Sequence, residues 1–163
     1  MTTDPRREAK QELRRRLRER RRQVSPEERR RASREIARRL FERIDWQAVI
    51  AVHVYKSVPA WGEIDTREIV AGIRDRWPAV EIEMPDLRAD QPIPTRRFDL
   101  IIVPVLGFDR QSFRLGLGAG FYDRFLATQP DALKVGLAYA WAMVDAVPRE
   151  AHDIPLDIVI TDA

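Results

Sequence analysis

Apolar runs and charged, helix-forming stretches alternate along this chain, and that alternation limits its fold more than any other feature. Residues 48–55 (AVIAVHVY), 80–84 (VEIEM), 99–105 (DLIIVPV), 134–139 (KVGLAY) and 158–161 (IVIT) read as strands. The first and third are continuous β-rich runs, the pattern of strands buried on both faces. Helical patterns stand between several of them. Residues 66–77 read as one such helix, capped by Asp65 or Thr66, and 121–127 as another. Strands alternating with helices imply parallel pairing and a layered α/β fold. The 163 residues suit a single domain, expected over 1–163. Residues 85–97 hold three prolines and no periodicity, and read as loop.

The first 43 residues are a basic segment expected to form two helices. Residues 4–23 carry a narrow apolar stripe at Leu13, Leu17 and Val24, and Lys10 and Arg14 lie four apart on a neighbouring face. Ser25-Pro26-Glu27-Glu28 has the form of a helix start: a serine cap, proline in the first turn, and a glutamate three beyond the cap. The second helix should run to about Arg43, with Ala32, Ile36, Leu40 and Ile44 inward. Residues 1–43 hold 17 Lys/Arg against 8 Asp/Glu, whereas the remainder holds 12 against 18. This basic arm suits a nucleic-acid surface, a solvated arginine-rich face, or a cationic wall for a small anion. It has no aromatic residue up to position 40, so stacking on bases finds no support there.

Chemistry concentrates at 114–124, RLGLGAGFYDR. Gly116, Gly118 and Gly120 leave room for backbone amides to approach a bound group, and successive N–H groups make an anion-binding concavity. Arg114 and Arg124 bracket the bend, and Asp123 follows as a natural magnesium ligand. No Gly-Lys-Ser/Thr follows, and the third glycine comes one residue too early for a dinucleotide fingerprint. The pattern reads as a nucleotide phosphate site. In a parallel sheet, ligands bind beyond the carboxyl ends of strands, where this bend and Glu63 both fall. Glu63 could accept hydrogen bonds from the amino and ring N–H groups of a heterocycle. Asp123 and Asp153 follow different strands, and two such carboxylates can hold a magnesium ion that keeps its waters. Read alone, Asp153 is an ordinary loop aspartate. His53 is expected to be a packed core residue.

Other chemistries find little footing. The absence of cysteine excludes disulfides and thiol catalysis, and two histidines make a histidine-rich zinc site improbable. No Gly-x-Ser-x-Gly elbow occurs. No apolar run approaches the ~20 residues that span a bilayer, and the charged N-terminus lacks a secretory pattern. A soluble cytoplasmic protein is the expectation.

The Lys10-x-x-Leu13-Arg14 start, Gly62-Glu63-Ile64-Asp65-Thr66, the RLGLGAGFYDR run, Gly136-Leu137-Ala138-Tyr139 and His152-Asp153-Ile154-Pro155-Leu156-Asp157 resemble, in that order, the 5-formyltetrahydrofolate cyclo-ligase family. The resemblance runs from about residue 8 to 161. It implies a three-layer α/β/α fold around a largely parallel sheet, with the N-terminal helical pair packed on it. It also implies ATP- and magnesium-dependent conversion of 5-formyltetrahydrofolate to 5,10-methenyltetrahydrofolate in the cytoplasm, releasing ADP and phosphate. By that resemblance Lys10, Arg14, Arg114, Leu115, Gly116, Leu117, Gly118, Ala119, Gly120, Phe121 and Tyr122 would hold ATP. Asp123 and Asp153 would hold Mg2+, Glu63, Tyr55 and Tyr122 would hold the folate, and Arg114, Tyr122 and Asp123 would act in the reaction. A monomer acting on small molecules, without nucleic acid or membrane partners, is expected. Residues 85–97 are shorter than usual in the family. Ala140-Trp141-Ala142, Leu117 and Phe121 also depart from its pattern, which keeps a related ATP-using enzyme with another substrate as an alternative.

Overall fold

A computed structural model of the chain describes residues 4–85 and 92–163. Part of the expected 85–97 loop, residues 86–91, therefore lies outside the described residues. Two helices open the chain, α1 (Pro5–Arg22) and α2 (Pro26–Arg43). The Asp4 side chain accepts from the Arg6 amide and the Ser25 side chain from the Glu28 amide, and each cap precedes a proline in the first turn, so both starts follow their sequence signals. α2 buries Ala32, Ile36, Ala37 and Leu40 at helical spacing, with Ile44 buried just beyond. Much of the surface charge on this pair is balanced locally: Arg15 pairs with Glu12, Arg22 with Glu19, and Arg38 and Arg39 with Glu35.

β1 (Ala51–Val54), α3 (Arg67–Arg76), β2 (Glu81–Glu83) and β3 (Leu100–Pro104) come next. A short hairpin of β4 (Gly107–Phe108) and β5 (Arg114–Leu115), α4 (Phe121–Ala127), β6 (Leu133–Ala138) and β7 (Ile158–Thr161) complete the fold. The main sheet has the order β2-β1-β3-β6-β7, and every adjacent pair is parallel. The expected α/β fold is the one observed. β1 is buried throughout, as are the first four residues of β3, which explains their unbroken apolar sequence. From β1 the chain crosses through α3 to one side, and from β3 it crosses through α4 to the other. Right-handed crossovers then put α3 and α4 on opposite faces, and the winding reverses between β1 and β3. A crevice opens at such a reversal, beyond the strand ends.

Several elements differ from the sequence expectation. The first strand begins at Ala51, not at 48, because Trp46–Ala48 forms a 3-10 turn capped by Asp45, and Ile50 is left exposed. α3 spans ten residues. Thr66 stands at its cap without a side-chain bond, while Asp65 Oδ1 accepts from the Arg67 amide at 3.0 Å. The glycine bend does not follow β3 directly, since the β4–β5 hairpin intervenes. Buried Asp109 shapes that hairpin by accepting from the amides of Gln111, Phe113 and Val147. Gly107 lies against α1, where a Cβ would meet the end of the Leu17 side chain. His53 is wholly buried against Phe98, Tyr122 and Phe125, and burial pushes its pKa down to about 4. It is a neutral core residue, as expected. Among the described residues, no helix is long and apolar enough to cross a membrane.

Candidate active site

A cavity of ≈ 160 Å³ lies at the reversal point, with Pro104 at the end of β3 on one side and Glu63 after β1 on the other. Lys10, Arg14 and Arg21 of α1 form one wall. Arg114, Gly116, Leu117, Gly118, Ala119, Gly120, Phe121, Tyr122 and Asp123 form the opposite one. The N-terminal helix and the glycine bend, 100 residues apart in sequence, thus face the same space. Arg14 Nε donates to the Gly116 carbonyl at 3.0 Å, an Arg18 guanidinium N–H to Leu117 at 2.9 Å, and one from Arg124 to Ala119 at 3.1 Å. These arginines take up the carbonyls of the bend. Among the described residues, the amides of Gly118, Ala119 and Gly120 have no hydrogen-bond partner. Gly118 and Gly120 adopt φ values of 104° and 69°, the left-handed region that glycine enters without strain.

Two arginines in the cavity wall are buried with little compensation. Arg114 has a side chain 6% exposed, its nearest carboxylate oxygen is Asp123 Oδ1 at 3.7 Å, and its Nε has no partner. It also lies over the Tyr122 ring at 5.3 Å. Arg21 is 5% exposed, its Nε has no partner, and among the described residues it forms no ion pair. Burial lowers the pKa of both guanidiniums. A buried cation with so few partners is costly unless an anion joins it. Arg21 was not among the sequence candidates. The signal was present, since it stands eleven residues after Lys10, three helical turns along the same face.

Glu63 is almost fully buried and accepts from the Val58 amide at 2.7 Å. Burial raises its pKa, while that hydrogen bond and the nearby arginines Arg21 and Arg29 oppose the rise. The preceding Gly62 has φ 68°, and a Cβ there would meet the Arg21 carbonyl oxygen at 3.0 Å. Glycine therefore allows the Glu63 loop to sit against the last turn of α1. Tyr139 secures the same loop by donating to the Gly62 carbonyl at 2.7 Å.

On the far side, Asp123, His152 and Asp153 each bring a ligand atom to within 4.8 Å of the others. Asp153 Oδ2 accepts from Lys10 Nζ at 2.8 Å and from the Glu150 amide at 2.9 Å. Burial resists ionisation of Asp153, but these bonds outweigh it and hold its pKa below the ordinary carboxylate value. Lys10 also reaches Glu150 Oε2 at 3.4 Å, which leaves one ammonium proton free to face the cavity. Asp153 Oδ1 and Asp123 Oδ2 accept no hydrogen bond among the described residues. Two uncommitted carboxylate oxygens of this kind fit a hard, partly hydrated divalent ion such as magnesium. Glu150 and His152 line the cavity without having been singled out from sequence, although both neighbour Asp153.

Two expected site residues lie elsewhere. Tyr55 is 3% exposed, packs in the core and donates its hydroxyl to the Ile64 carbonyl at 2.8 Å, so it does not face the cavity. Leu115 is fully buried with Leu17, Leu106 and Val147, because alternation along β5 turns it away from Arg114. Tyr122 does line the cavity, with its hydroxyl 3.4 Å from His53 Nε2. Burial raises its pKa, so it remains a protonated phenol.

Known proteins resemble this chain in sequence and in fold. A family model described as the 5-formyltetrahydrofolate cyclo-ligase family matches residues 6–94 and 76–162. The chain is 30% identical to the 5-formyltetrahydrofolate cyclo-ligase of Escherichia coli (strain K12) over 181 aligned positions, covering 89% of this chain and 96% of that protein. It is 38% identical to the Haemophilus influenzae protein of that name over 79 residues, 47% of this chain and 42% of the relative. A solved 5,10-methenyltetrahydrofolate synthetase from Aquifex aeolicus matches with a TM-score of 0.76 and 28% identity, covering 94% of this chain and 89% of the other. One from Mycoplasma pneumoniae matches with a TM-score of 0.80 over 94% and 99% of the two chains, and at 22% identity that likeness is one of fold.

Proposed function

Since the chain belongs to the 5-formyltetrahydrofolate cyclo-ligase family, we propose that it uses ATP to close 5-formyltetrahydrofolate into 5,10-methenyltetrahydrofolate, releasing ADP and phosphate. The observation that carries the proposal is the pair of under-compensated buried guanidiniums, Arg21 and Arg114, facing one cavity beside unpartnered bend amides. Such a wall is built for a polyanion.

The formyl oxygen is a poor leaving group, and phosphorylation makes it a good one. The formyl oxygen attacks the γ-phosphorus, and the bond from that phosphorus to the β,γ-bridging oxygen breaks to give ADP. N10 then attacks the formyl carbon, and the carbon–oxygen bond breaks to release phosphate, which carries away the N10 proton. Neither step calls for a strong protein base, which suits a site whose histidine is exposed and whose tyrosine stays protonated. Alignment and charge neutralisation dominate instead. Lys10, Arg14, Arg114 and the backbone of 116–122 grip the triphosphate, with Arg114 neutralising charge that develops on the transferred phosphoryl group. Glu63 and the Tyr122 hydroxyl orient the pterin. Asp123 and Asp153 hold Mg2+, which when bound screens the phosphates.

The same arrangement explains the basic N-terminal segment. Lys10, Arg14, Arg18 and Arg21 are committed to this site and its rim, which favours a small anionic substrate over nucleic acid. A cytoplasmic monomer completes the proposal. The test is to mix the purified protein with 5-formyltetrahydrofolate and Mg-ATP and follow methenyl absorbance in acid. Substrate-dependent formation of product with matching ADP is expected. ATP binding without product would move the protein to another substrate.

A further inference from the structure

Two helices each send an arginine to the glycine bend from outside the main cavity. An Arg18 guanidinium N–H, from α1, donates to the Leu117 carbonyl at 2.9 Å, and one from Arg124, on α4, donates to the Ala119 carbonyl at 3.1 Å. Among the described residues neither guanidinium has a carboxylate partner, so the carbonyl bond is what each side chain does. Arg14 holds the Gly116 carbonyl in the same way, but it also lines the cavity. Arg18 and Arg124 do not line it, although residues 116–123 all do. The carbonyls of Leu117 and Ala119 are therefore drawn toward groups that lie off the cavity.

Each of these carbonyls shares a peptide plane with the next amide. The described peptide bonds are all trans, so a C=O and the N–H that follows it point to opposite sides. Holding the Leu117 carbonyl away from the cavity turns the Gly118 N–H toward it, and holding Ala119 does the same for Gly120. Both of these amides are without a partner among the described residues. Gly118 and Gly120 also carry the positive φ values of the bend, 104° and 69°. Glycine's freedom has a second side here, because peptide planes flanked by glycine rotate at little cost. A bend with no anchors would present carbonyls to an anion as readily as amides. Two anchors remove that choice before a ligand arrives, and donors fixed in advance need no reorganisation when charge reaches them.

We propose that Arg18 and Arg124 are positioning residues of the anion site: neither holds a phosphate itself, and each acts by turning one glycine amide onto a phosphate of the nucleotide. The nucleotide comes from the cyclo-ligase reading above, on which the proposal rests. The two arginines have separate targets, Gly118 for Arg18 and Gly120 for Arg124. The charge of Arg124, which stands within the glycine-rich run itself, thus works through the backbone and not by direct pairing with the ligand.

The test is amide NMR of the full chain labelled with nitrogen-15 at its seven glycines, with Mg-ATP added and folate withheld. In the unaltered protein the Gly118 and Gly120 amide protons should move downfield, as charge-assisted bonds to phosphate require. Arg124→Ala should abolish the Gly120 shift and keep that of Gly118, and Arg18→Ala should do the reverse. Arg124→Lys, which keeps a donor, should restore the Gly120 shift. In steady-state assays Arg124→Ala should raise ATP KM by about three- to ten-fold, the worth of one hydrogen bond, and leave folate KM unchanged. The rise should persist at ~0.5 M salt, where a direct charge contact is largely screened. Bend amides that stay in place while ATP binds, or that still shift in both alanine variants, would overturn the proposal. A KM rise erased by salt would also overturn it and make Arg124 a direct charge partner. Gly72 on α3 and Gly136 on β6 report folding, and loss of their native signals in a variant would make that arginine a structural residue instead. Intact shifts at Gly118 and Gly120 in a protein that forms no methenyl product would overturn the cyclo-ligase reading and leave the two positioning roles standing.

Discussion

Lys10→Met keeps the length of the side chain and removes its ammonium, which separates two duties the structure gives this residue. Lys10 and Asp153 have side chains only 8% and 7% exposed, and their charged atoms stand 2.8 Å apart. Breaking a buried pair by deleting one partner costs roughly 3–5 kcal/mol, because the other charge is left without compensation. Here Asp153 keeps the Glu150 amide at 2.9 Å, and His152 Nε2 lies 3.6 Å from its other oxygen. The expected loss is therefore smaller, about 2–3 kcal/mol. In urea unfolding this should lower the midpoint by about 1–2 M at an ordinary denaturant slope. In an Asp153→Asn background the same change should cost much less, giving a coupling of about 1–2 kcal/mol. The pH dependence has a definite sign. The folded pKa of Asp153 is depressed, so its pairing contributes stability above the unfolded pKa and loses it as pH falls through the folded one. The curves of the original protein and Lys10→Met should then converge in acid. ATP KM should rise as well, through loss of the remaining ammonium proton. A coupling below about 0.5 kcal/mol, the limit expected of independent sites, would refute the latch between α1 and the loop before β7.

Arg114→Met should raise ATP KM by more than about ten-fold, the equivalent of ~1.4 kcal/mol, and leave stability within about 1 kcal/mol or improve it, since the buried guanidinium has only a distant partner. A loss above ~3 kcal/mol in denaturant titration would make it a structural residue instead. His53 has a folded pKa of about 4, below the unfolded value, so the unfolded chain takes up a proton that the folded chain refuses. Stability should fall by up to about 3 kcal/mol as pH drops from ~6.5 to ~4, and His53→Gln should flatten that slope; equal slopes in urea unfolding would contradict the buried neutral state. Tyr55→Phe should cost about 0.5–1.5 kcal/mol through the lost bond to Ile64 and leave folate KM unchanged, whereas a clear KM rise would return Tyr55 to the site.

Much of the site was readable in the chain because its groups are short-range patterns. The glycine bend, the Gly62-Glu63 loop and the spacing of Lys10 and Arg14 each declare local backbone geometry or a shared helix face. Readings failed where burial direction mattered. Tyr55 and Leu115 stand among functional neighbours, yet strand alternation and core packing turn both away from the cavity. The β4–β5 hairpin was missed because two-residue strands leave no periodicity to detect, and a single buried aspartate, Asp109, organises its turn. Arg21 and Arg22 are adjacent members of one arginine run, and composition cannot tell which is buried. The fold packs Arg21 against the Gly62 loop as an interior cation and leaves Arg22 exposed.

The chain's own sequence determined the α/β class, the caps of both N-terminal helices and the glycine bend, since these follow from periodicity, side-chain hydrogen bonding and glycine's freedom at positive φ. Tertiary structure alone decided that α1 closes the cavity, that Lys10 is latched to Asp153, and that Arg21 and Arg114 are left short of partners. Those facts depend on contacts between segments tens to over a hundred residues apart, and on which charges such contacts remove from water.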